Sequence, residues 1–133
     1  MTELKPFPSI EKTLFALFHD KLAVDNQQMG TAYPAGDDSY TFVRVDKLGG
    51  PRSKLRDYPL VDVEAVAPTW AAASELIESI DTLILSYPHS IATPSGVVVL
   101  DSVVVTRSPV EIPWDGPGRR LAATYSLVLR RRD

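Results

Sequence analysis

The sequence contains no cysteine, only two histidines and no long hydrophobic run. The absence of cysteine excludes disulfide bonds, zinc–thiolate sites and thiol nucleophiles. No apolar run approaches the roughly 20 residues that span a bilayer, and the N-terminal MTELKPFPSI lacks the basic and apolar segments of a secretory signal. The net charge of −3 provides no overall basic field to attract nucleic acid. These absences favour a protein made in the cytoplasm.

What the sequence does contain is enough to build one core. Its 133 residues are 44% apolar, which predicts a single domain spanning residues 1–133. The eleven prolines fall mostly between segments that are predicted to be regular. Because proline lacks an N–H and fixes φ, this distribution indicates the boundaries of elements in a compact domain.

Apolar residues at helical spacing predict two helices. Ser9 is the predicted N-cap of a helix that ends near Leu22, and Thr69 caps a second helix that ends near Ser86. In the second helix Glu75, Glu78 and Asp81 are expected to face outward. Its predicted buried stripe consists of Trp70, Ala73, Leu76, Ile77, Ile80, Leu83 and Ile84.

Alternating or β-branched segments predict four strands, at residues 40–48, 60–67, 96–107 and 119–132. Segments 25–38, 49–57, 87–95 and 108–118 are rich in turn-forming residues and are predicted to be loops or turns. The element order is therefore α-β-β-α-β-β. It predicts an α+β domain in which two helices pack on one face of a mainly antiparallel sheet.

The third predicted strand carries valines on both faces. Two helices cover only one side of a sheet, so the second apolar face of residues 97–105 needs another cover. A neighbouring subunit is the simplest cover, and a long loop folded over the face is the alternative.

Asp62 and Glu64 are the first candidates for chemistry. A hairpin centred on Ser53 would place Arg44 opposite Asp62 and Phe42 opposite Glu64, with the acids on the face away from the core. Both acids then face solvent or a cation. A small metal-dependent enzyme that uses the pair is the competing hypothesis, although no third ligand stands at an obvious spacing.

Other potential site residues give weaker signals. His19 lies near a helix end, His89 lies in a proline-bounded loop, and Gly49 and Gly50 match a tight turn better than a phosphate loop. The pattern therefore predicts no catalytic, cofactor-binding or metal-ligating residue.

Basic residues cluster in one turn and at the two ends of the last strand, without the interleaved aromatic residues of single-strand binders. These clusters favour protein contacts, and a weak nucleic-acid-binding module is a third hypothesis. The clustered residues are Arg52, Lys54, Arg56, Arg119, Arg120, Arg130, Arg131 and Arg132.

Several stretches, read together in order, resemble one protein family. The longest is FVRVDKLGGPRSKLRDYPLVDVEAVAPTWAAASELIESI, which is followed by EIPWD and by RRLAATYSLVLRR. In this order they are similar to the small tail terminator proteins of long-tailed (siphovirus-type) phages of actinobacteria. The resemblance covers residues 42–131, and no single motif within it is diagnostic.

The resemblance implies a structural, non-enzymatic virion protein at the tail–neck junction. Tail terminators form a hexameric ring that caps the tail tube, ends its polymerisation and provides a surface for joining the head. The implied partners are other copies of the chain, the major tail tube protein and a neck or connector protein, with DNA at most passing through the ring. A head-completion or connector protein of the neck is the nearest alternative.

A closed ring needs two different patches that meet between neighbours. The basic turn and the acidic face of the second helix are the expected pair, and the Pro-Trp-Asp loop is a possible docking element. The predicted interface residues are Arg52, Lys54, Arg56, Glu75, Glu78, Asp81, Trp114, Arg119 and Arg120.

Overall fold

A computed structural model describes residues 4–33, 41–86, 90–113 and 116–131. Two α-helices and a seven-stranded sheet form the architecture, so the α+β class expected from the sequence is confirmed. One buried cluster joins residues of both helices to alternate residues of the strands. This shared cluster places the core between the helical layer and one face of the sheet.

Both helices begin where the capping residues predict. Helix α1 spans Ile10–Leu22, and the Ser9 hydroxyl accepts a hydrogen bond from the Lys12 backbone N–H at 3.2 Å. Helix α2 spans Trp70–Ser86, and the Thr69 hydroxyl accepts one from the Ala72 N–H at 3.2 Å. These side chains satisfy backbone donors that have no partner inside the helix.

The strands are more numerous than predicted. They are β1 Met29–Gly30, β2 Phe42–Gly49, β3 Arg56–Asp57, β4 Leu60–Ala67, β5 Ser90–Thr93, β6 Gly96–Ile112 and β7 Arg119–Arg130. The strand order is β1-β2-β4-β7-β6-β5, and β3 pairs with β7 beside β4.

The predicted order α-β-β-α-β-β and the predicted mainly antiparallel sheet both need correction. The sheet is mixed, because β1 runs parallel to β2 while the other pairings between described strands are antiparallel. Strand β1 lies inside the predicted loop 25–38, β3 inside 49–57 and β5 inside 87–95. These strands have two to four residues, too few for alternation to distinguish them from a polar loop.

Strand β6 continues beyond the predicted end near residue 107 to Ile112, so part of the predicted loop 108–118 is strand. The pairing with β7 shifts register three times, and Pro109 lies within the last shift. Bulges and proline are both tolerated where one edge of a strand is unpaired. A turn-rich sequence therefore remains extended here through its pairing with β7.

The β2–β4 pairing keeps the predicted faces but not the predicted register. Arg44 lies opposite Glu64, and Phe42 lies opposite Val66, two residues away from the predicted partners. A slip of two residues leaves every side chain on its original face. Core and outer faces were therefore predicted correctly. The side chains that share the buried face are Val43, Val45, Val61, Val63 and Ala65.

Helix α2 departs from its predicted stripe at one end. Trp70 is 51% exposed, whereas Ala73, Ile77 and Ile80 are fully buried. Trp70 is the first residue of the helix, one turn before Ala73, the first residue of the helix that is buried. A helical stripe predicts which direction a side chain faces, but it does not predict where the neighbouring layer ends.

The outer face of β6 carries exposed valines: Val97 and Val104 belong to the segment 97–105 for which a second apolar face was predicted, and Val110 lies in the predicted loop 108–118. Val97, Val104 and Val110 are 65%, 57% and 45% exposed. Val104 and Val110 pair with Ser126 and Ala122 on the face opposite the helices. No described segment buries these valines, and this is the apolar surface for which a cover was expected.

Candidate interaction surfaces

The turn between β2 and β4 is organised around a buried carboxylate, that of Asp57. Its side chain accepts hydrogen bonds from Arg52 Nε at 2.9 Å, Arg52 Nη2 at 3.0 Å and Lys47 Nζ at 3.3 Å. Gly49 and Gly50 lead into the turn with φ of +115° and +118°, which favours glycine. A Cβ on Gly50 would collide with the Tyr58 carbonyl oxygen. The predicted tight turn is confirmed, and it delivers Arg52 to Asp57.

Two opposing effects set the charge of Asp57. Burial would raise the pKa of its carboxyl, but the hydrogen bonds and positive charges of Arg52 and Lys47 outweigh burial and hold that pKa below its usual range. The same hydrogen bond raises the pKa of Arg52. Asp57 is thus a fixed anion within the turn.

The N-terminal segment and the end of β7 clamp the same turn. The ring of Phe7 contacts two guanidinium groups: its centroid lies 4.6 Å from that of Arg52 and 4.1 Å from that of Arg131. Arg131 also donates to the Lys5 carbonyl at 2.6 Å and to the Lys54 carbonyl at 2.8 Å. Cation–π contacts and charge-assisted hydrogen bonds fix the turn from two directions.

Asp101 holds the opposite side of this turn. It lies at the first register shift of β6 and pairs with Arg56 Nε at 2.9 Å and Arg130 Nε at 2.8 Å. Two of the predicted interface cations, Arg52 and Arg56, therefore have intrachain partners. Lys54 is exposed, and its side chain forms no ion pair with a described residue.

Asp62 and Glu64 lie on the outer face, where they meet cations. Asp62 accepts from the Thr124 hydroxyl at 3.0 Å and lies 3.4 Å from Arg107 Nη2. Glu64 lies 3.6 Å from Arg44 Nη1. The predicted Arg44–Asp62 pair does not form, because the register places Glu64 opposite Arg44. The proposed metal pair is therefore two separate acid–arginine contacts.

Glu64 is 8% exposed, and burial raises the pKa of its carboxyl, although the charges of Arg120 and Arg107 oppose that rise. In the described part of the chain, no group of three or more metal-ligating side chains comes together. A raised carboxyl pKa alone is weak evidence for a proton-transfer site. It is explained here by desolvation.

The acidic face of α2 is smaller than predicted. Glu75 and Glu78 are exposed, but Asp81 is half-buried and accepts a hydrogen bond from the Tyr125 hydroxyl at 2.6 Å. Burial, followed by this bond to Asp81, raises the pKa of Tyr125 far above its usual range. The prediction that Asp81 faces outward was wrong, because the sheet brings Tyr125 of β7 beneath it.

A groove of about 530 Å³ lies between the end of α1 and the exposed side of α2. Leu22 and Leu83 provide its apolar surface, and Glu75 and Glu78 provide its acidic side. Small polar residues complete it: Ser79, Thr82 and Ser86. The groove therefore combines an apolar surface with two carboxylates that form no ion pair with a described residue.

The remaining predicted interface residues are dispersed. Nη2 of Arg119 donates to both carboxylate oxygens of Glu111, at 2.7 and 2.8 Å. The guanidinium of Arg120 lies 4.0 Å from the centroid of the Tyr33 ring. His19 is exposed near the end of α1 and contacts the Val24 carbonyl at 2.9 Å. Trp114 and His89 lie outside the described residues.

The chain matches the model of a family described as phage tail termination protein over residues 6–132. This match covers nearly the whole sequence. The chain belongs to the phage tail termination protein family. A comparison with curated protein sequences finds no significant match.

Membership in the tail termination family makes the chain a structural component of phage tail assembly and hence of the virion. Among the described helices, none has the length and apolar character to cross a bilayer.

Sequence reasoning identified the acids and cations of these surfaces but not their pairings. It missed Asp57 and Asp101 as the centres of the charged turn, and Tyr125 as the partner of Asp81. One signal was available, because an aspartate inside a short segment with three cations, RSKLRD, favours local pairing.

Proposed function

We propose that the protein is a tail terminator that assembles into a ring on the end of the tail tube. The ring stops tube polymerisation and presents a surface for joining the head, without a catalytic step. A hexamer of the chain, the tail tube protein and a head-side neck protein are the proposed components of this junction. The observation that carries the proposal is the family match over residues 6–132.

The sheet surface supports the proposed assembly. Strand β6 has one edge paired with β7, and its outer face exposes Val104 and Val110. Exposed apolar sheet surface of this kind is typical of protein contact sites. A neighbouring subunit would bury these valines, whereas an isolated chain leaves them in water.

Tube growth in vitro tests the proposed function. Purified protein is added to polymerising tail tube subunits, and tube lengths are measured by electron microscopy. We expect growth to stop and a ring to be visible at one tube end. Unchanged tube growth, with the protein bound instead to isolated head connectors, would overturn the proposal in favour of a neck protein.

A mass measurement on the capped tubes complements the length assay. Native mass spectrometry of the released caps should give one mass that is an integer multiple of the chain mass, and six copies is the expected number. Caps that contain single copies would contradict a ring.

A substitution on the exposed sheet face complements both assays. Val104→Asp places a charge on this face and should reduce capping. Ser126→Asp, at the position paired with Val104 on the neighbouring strand, should reduce it as well if the same face is buried.

A further inference from the structure

The tip of the charged turn is a rigid, exposed pair of residues, Lys54 and Leu55. Ser53 N–H donates to the Arg56 carbonyl at 2.7 Å, and Tyr58 N–H donates to the Pro51 carbonyl at 3.0 Å. These bonds close residues 51–58 into a small hairpin. Because its backbone is already fixed, little conformational entropy would be lost if the tip bound a partner.

The sequence of the tip is unusual for a turn. Turn tips favour Gly, Asn, Asp, Ser or Pro, each for its backbone geometry. Leu55 instead is 56% exposed. Lys54 beside it has no ion-pair partner among the described residues, whereas Arg52 and Arg56 are held by Asp57 and Asp101. The tip therefore presents one apolar and one cationic side chain outward.

The α1–α2 groove has the complementary composition. The half-buried Leu22 and the small exposed part of Leu83, 8% of that residue, provide an apolar surface. Glu75 and Glu78 form no ion pair with any residue that the structure describes. The groove lies on the helical layer, and the tip lies on the turn that joins β2 to β4. Two different patches of one chain thus match in both charge and polarity.

We propose that the Lys54–Leu55 tip of one copy enters the α1–α2 groove of the next copy. Leu55 packs on Leu22 and Leu83, while Lys54 pairs with Glu75 and Glu78. The contact is heterologous, which is the type of interface that a closed ring requires. This inference rests on the proposed function, because it assigns a contact within that ring.

Charge reversal on either side tests the contact. Lys54→Glu and the double variant Glu75→Lys/Glu78→Lys should each raise the concentration needed for half-maximal tube capping by about 10-fold or more, because like charges then face one another. Leu55→Ser removes the apolar anchor and should raise it by about 30-fold. All these side chains are exposed, so the thermal unfolding temperature should not change.

The decisive experiment combines the charge reversals of the tip and of the groove in one chain. A protein that carries Lys54→Glu together with Glu75→Lys and Glu78→Lys should regain capping, because the reversed tip meets the reversed groove. An equimolar mixture of the two singly defective proteins should regain it as well, through alternating copies. Loss in both parents without recovery in the combined chain would overturn the contact.

Matched controls separate local contact from net charge. Lys12→Glu reverses one positive charge, as Lys54→Glu does, and Asp20→Lys reverses one negative charge, half the change of the groove double variant. Both lie at exposed positions on α1 outside the α1–α2 groove. We expect both controls to cap tubes as the wild type does. Equal losses in the controls and in the tip variant would show a general charge effect and overturn the contact.

The outcomes also distinguish this inference from the proposed function. If the wild type fails to cap tubes, the proposed function fails. If the wild type caps tubes and Lys54→Glu, Leu55→Ser and the groove variant cap them equally well, the ring function stands and the tip-in-groove contact is wrong.

Discussion

Two buried acids of the same sheet differ in how closely their cationic partners approach them. Asp57 is 1% exposed and receives three hydrogen bonds from two cations. Glu64 is 8% exposed, and its shortest ion-pair distance is 3.6 Å, to Arg44. The pKa of Asp57 lies below its usual range and that of Glu64 lies above it. Burial alone therefore does not determine the direction of the pKa shift, and the geometry of the cationic partners decides it.

The backbone explains the difference. The hairpin of residues 51–58 places Arg52 directly across from Asp57, so the guanidinium contacts both carboxylate oxygens. On the outer face, Arg44 is shared between Asp46, at 3.1 Å, and Glu64. Arg44 donates a hydrogen bond to Asp46 through Nη2, whereas its 3.6 Å separation from Glu64 is too long for one. The turn thus has a stabilising ion cluster, while Glu64 carries a desolvation cost.

Removing the well-paired acid should have the largest effect. Asp57→Ala eliminates charge-assisted bonds that organise the turn, and we expect the free energy of unfolding to fall by about 2–3 kcal/mol. Urea denaturation followed by circular dichroism measures it. Asp46→Ala is the control. Asp46 forms a single ion pair, with Arg44, and is more exposed than Asp57, so its loss should lower the free energy of unfolding by less than about 1 kcal/mol. Equal losses would contradict the comparison.

Acidification should reduce the effect of Asp57→Ala. Because the folded-state pKa of Asp57 is lowered, its stabilisation is present above the ordinary Asp value of about 3.9 and is lost as pH falls through the folded value. The difference in unfolding free energy between wild type and Asp57→Ala should therefore be constant at neutral pH and shrink below about pH 4. A constant difference down to pH 2 would contradict this assignment.

The Tyr125–Asp81 hydrogen bond should have an effect on stability between those of Asp57 and Glu64, because an uncharged hydroxyl donates to a half-buried carboxylate. Tyr125→Phe removes a 2.6 Å hydrogen bond without changing the shape of the buried ring. We expect the free energy of unfolding to fall by about 1–2 kcal/mol. Tyr58→Phe, at a 39% exposed tyrosine, is the matched control and should be near neutral. Equal effects would indicate that the bond contributes nothing.

Neutralising the poorly paired acid should have the smallest effect and the opposite sign. Glu64→Gln removes a desolvated charge while Arg44 keeps Asp46, so we expect the unfolding free energy at pH 7 to rise by roughly 0.5–1 kcal/mol. A destabilised variant would show that the Arg44 contact outweighs burial.

The pH dependence of Glu64→Gln should also differ from that of Asp57→Ala. The folded-state pKa of Glu64 is raised, so the wild type avoids the cost of the buried charge below the ordinary Glu value of about 4.3, where the carboxyl is protonated. It loses this stability as pH rises through the folded-state pKa. The advantage of Glu64→Gln should therefore be full at neutral pH and fade on acidification toward about pH 4. It should begin to fade at a higher pH than the Asp57→Ala deficit.

Much of the helical and strand framework could be predicted because its signals are local. The Ser9 and Thr69 caps, the α1 boundary at Leu22 and the β4 boundaries appear as predicted. The short strands β1, β3 and β5 could not be predicted, because two to four residues carry no usable period. The predicted interface residues remain a prediction, although the structure shows which of them have intrachain partners.

The sequence by itself determined which side chains face the core, because the periods of helix and strand follow from local geometry. Only the tertiary structure decided which charges meet. Alternation defines a face but leaves the register free by steps of two, so Arg44 meets Glu64 rather than Asp62. Pairs such as Arg56–Asp101 and Tyr125–Asp81 depend on the strand order and on how α2 packs, which are non-local properties of the chain.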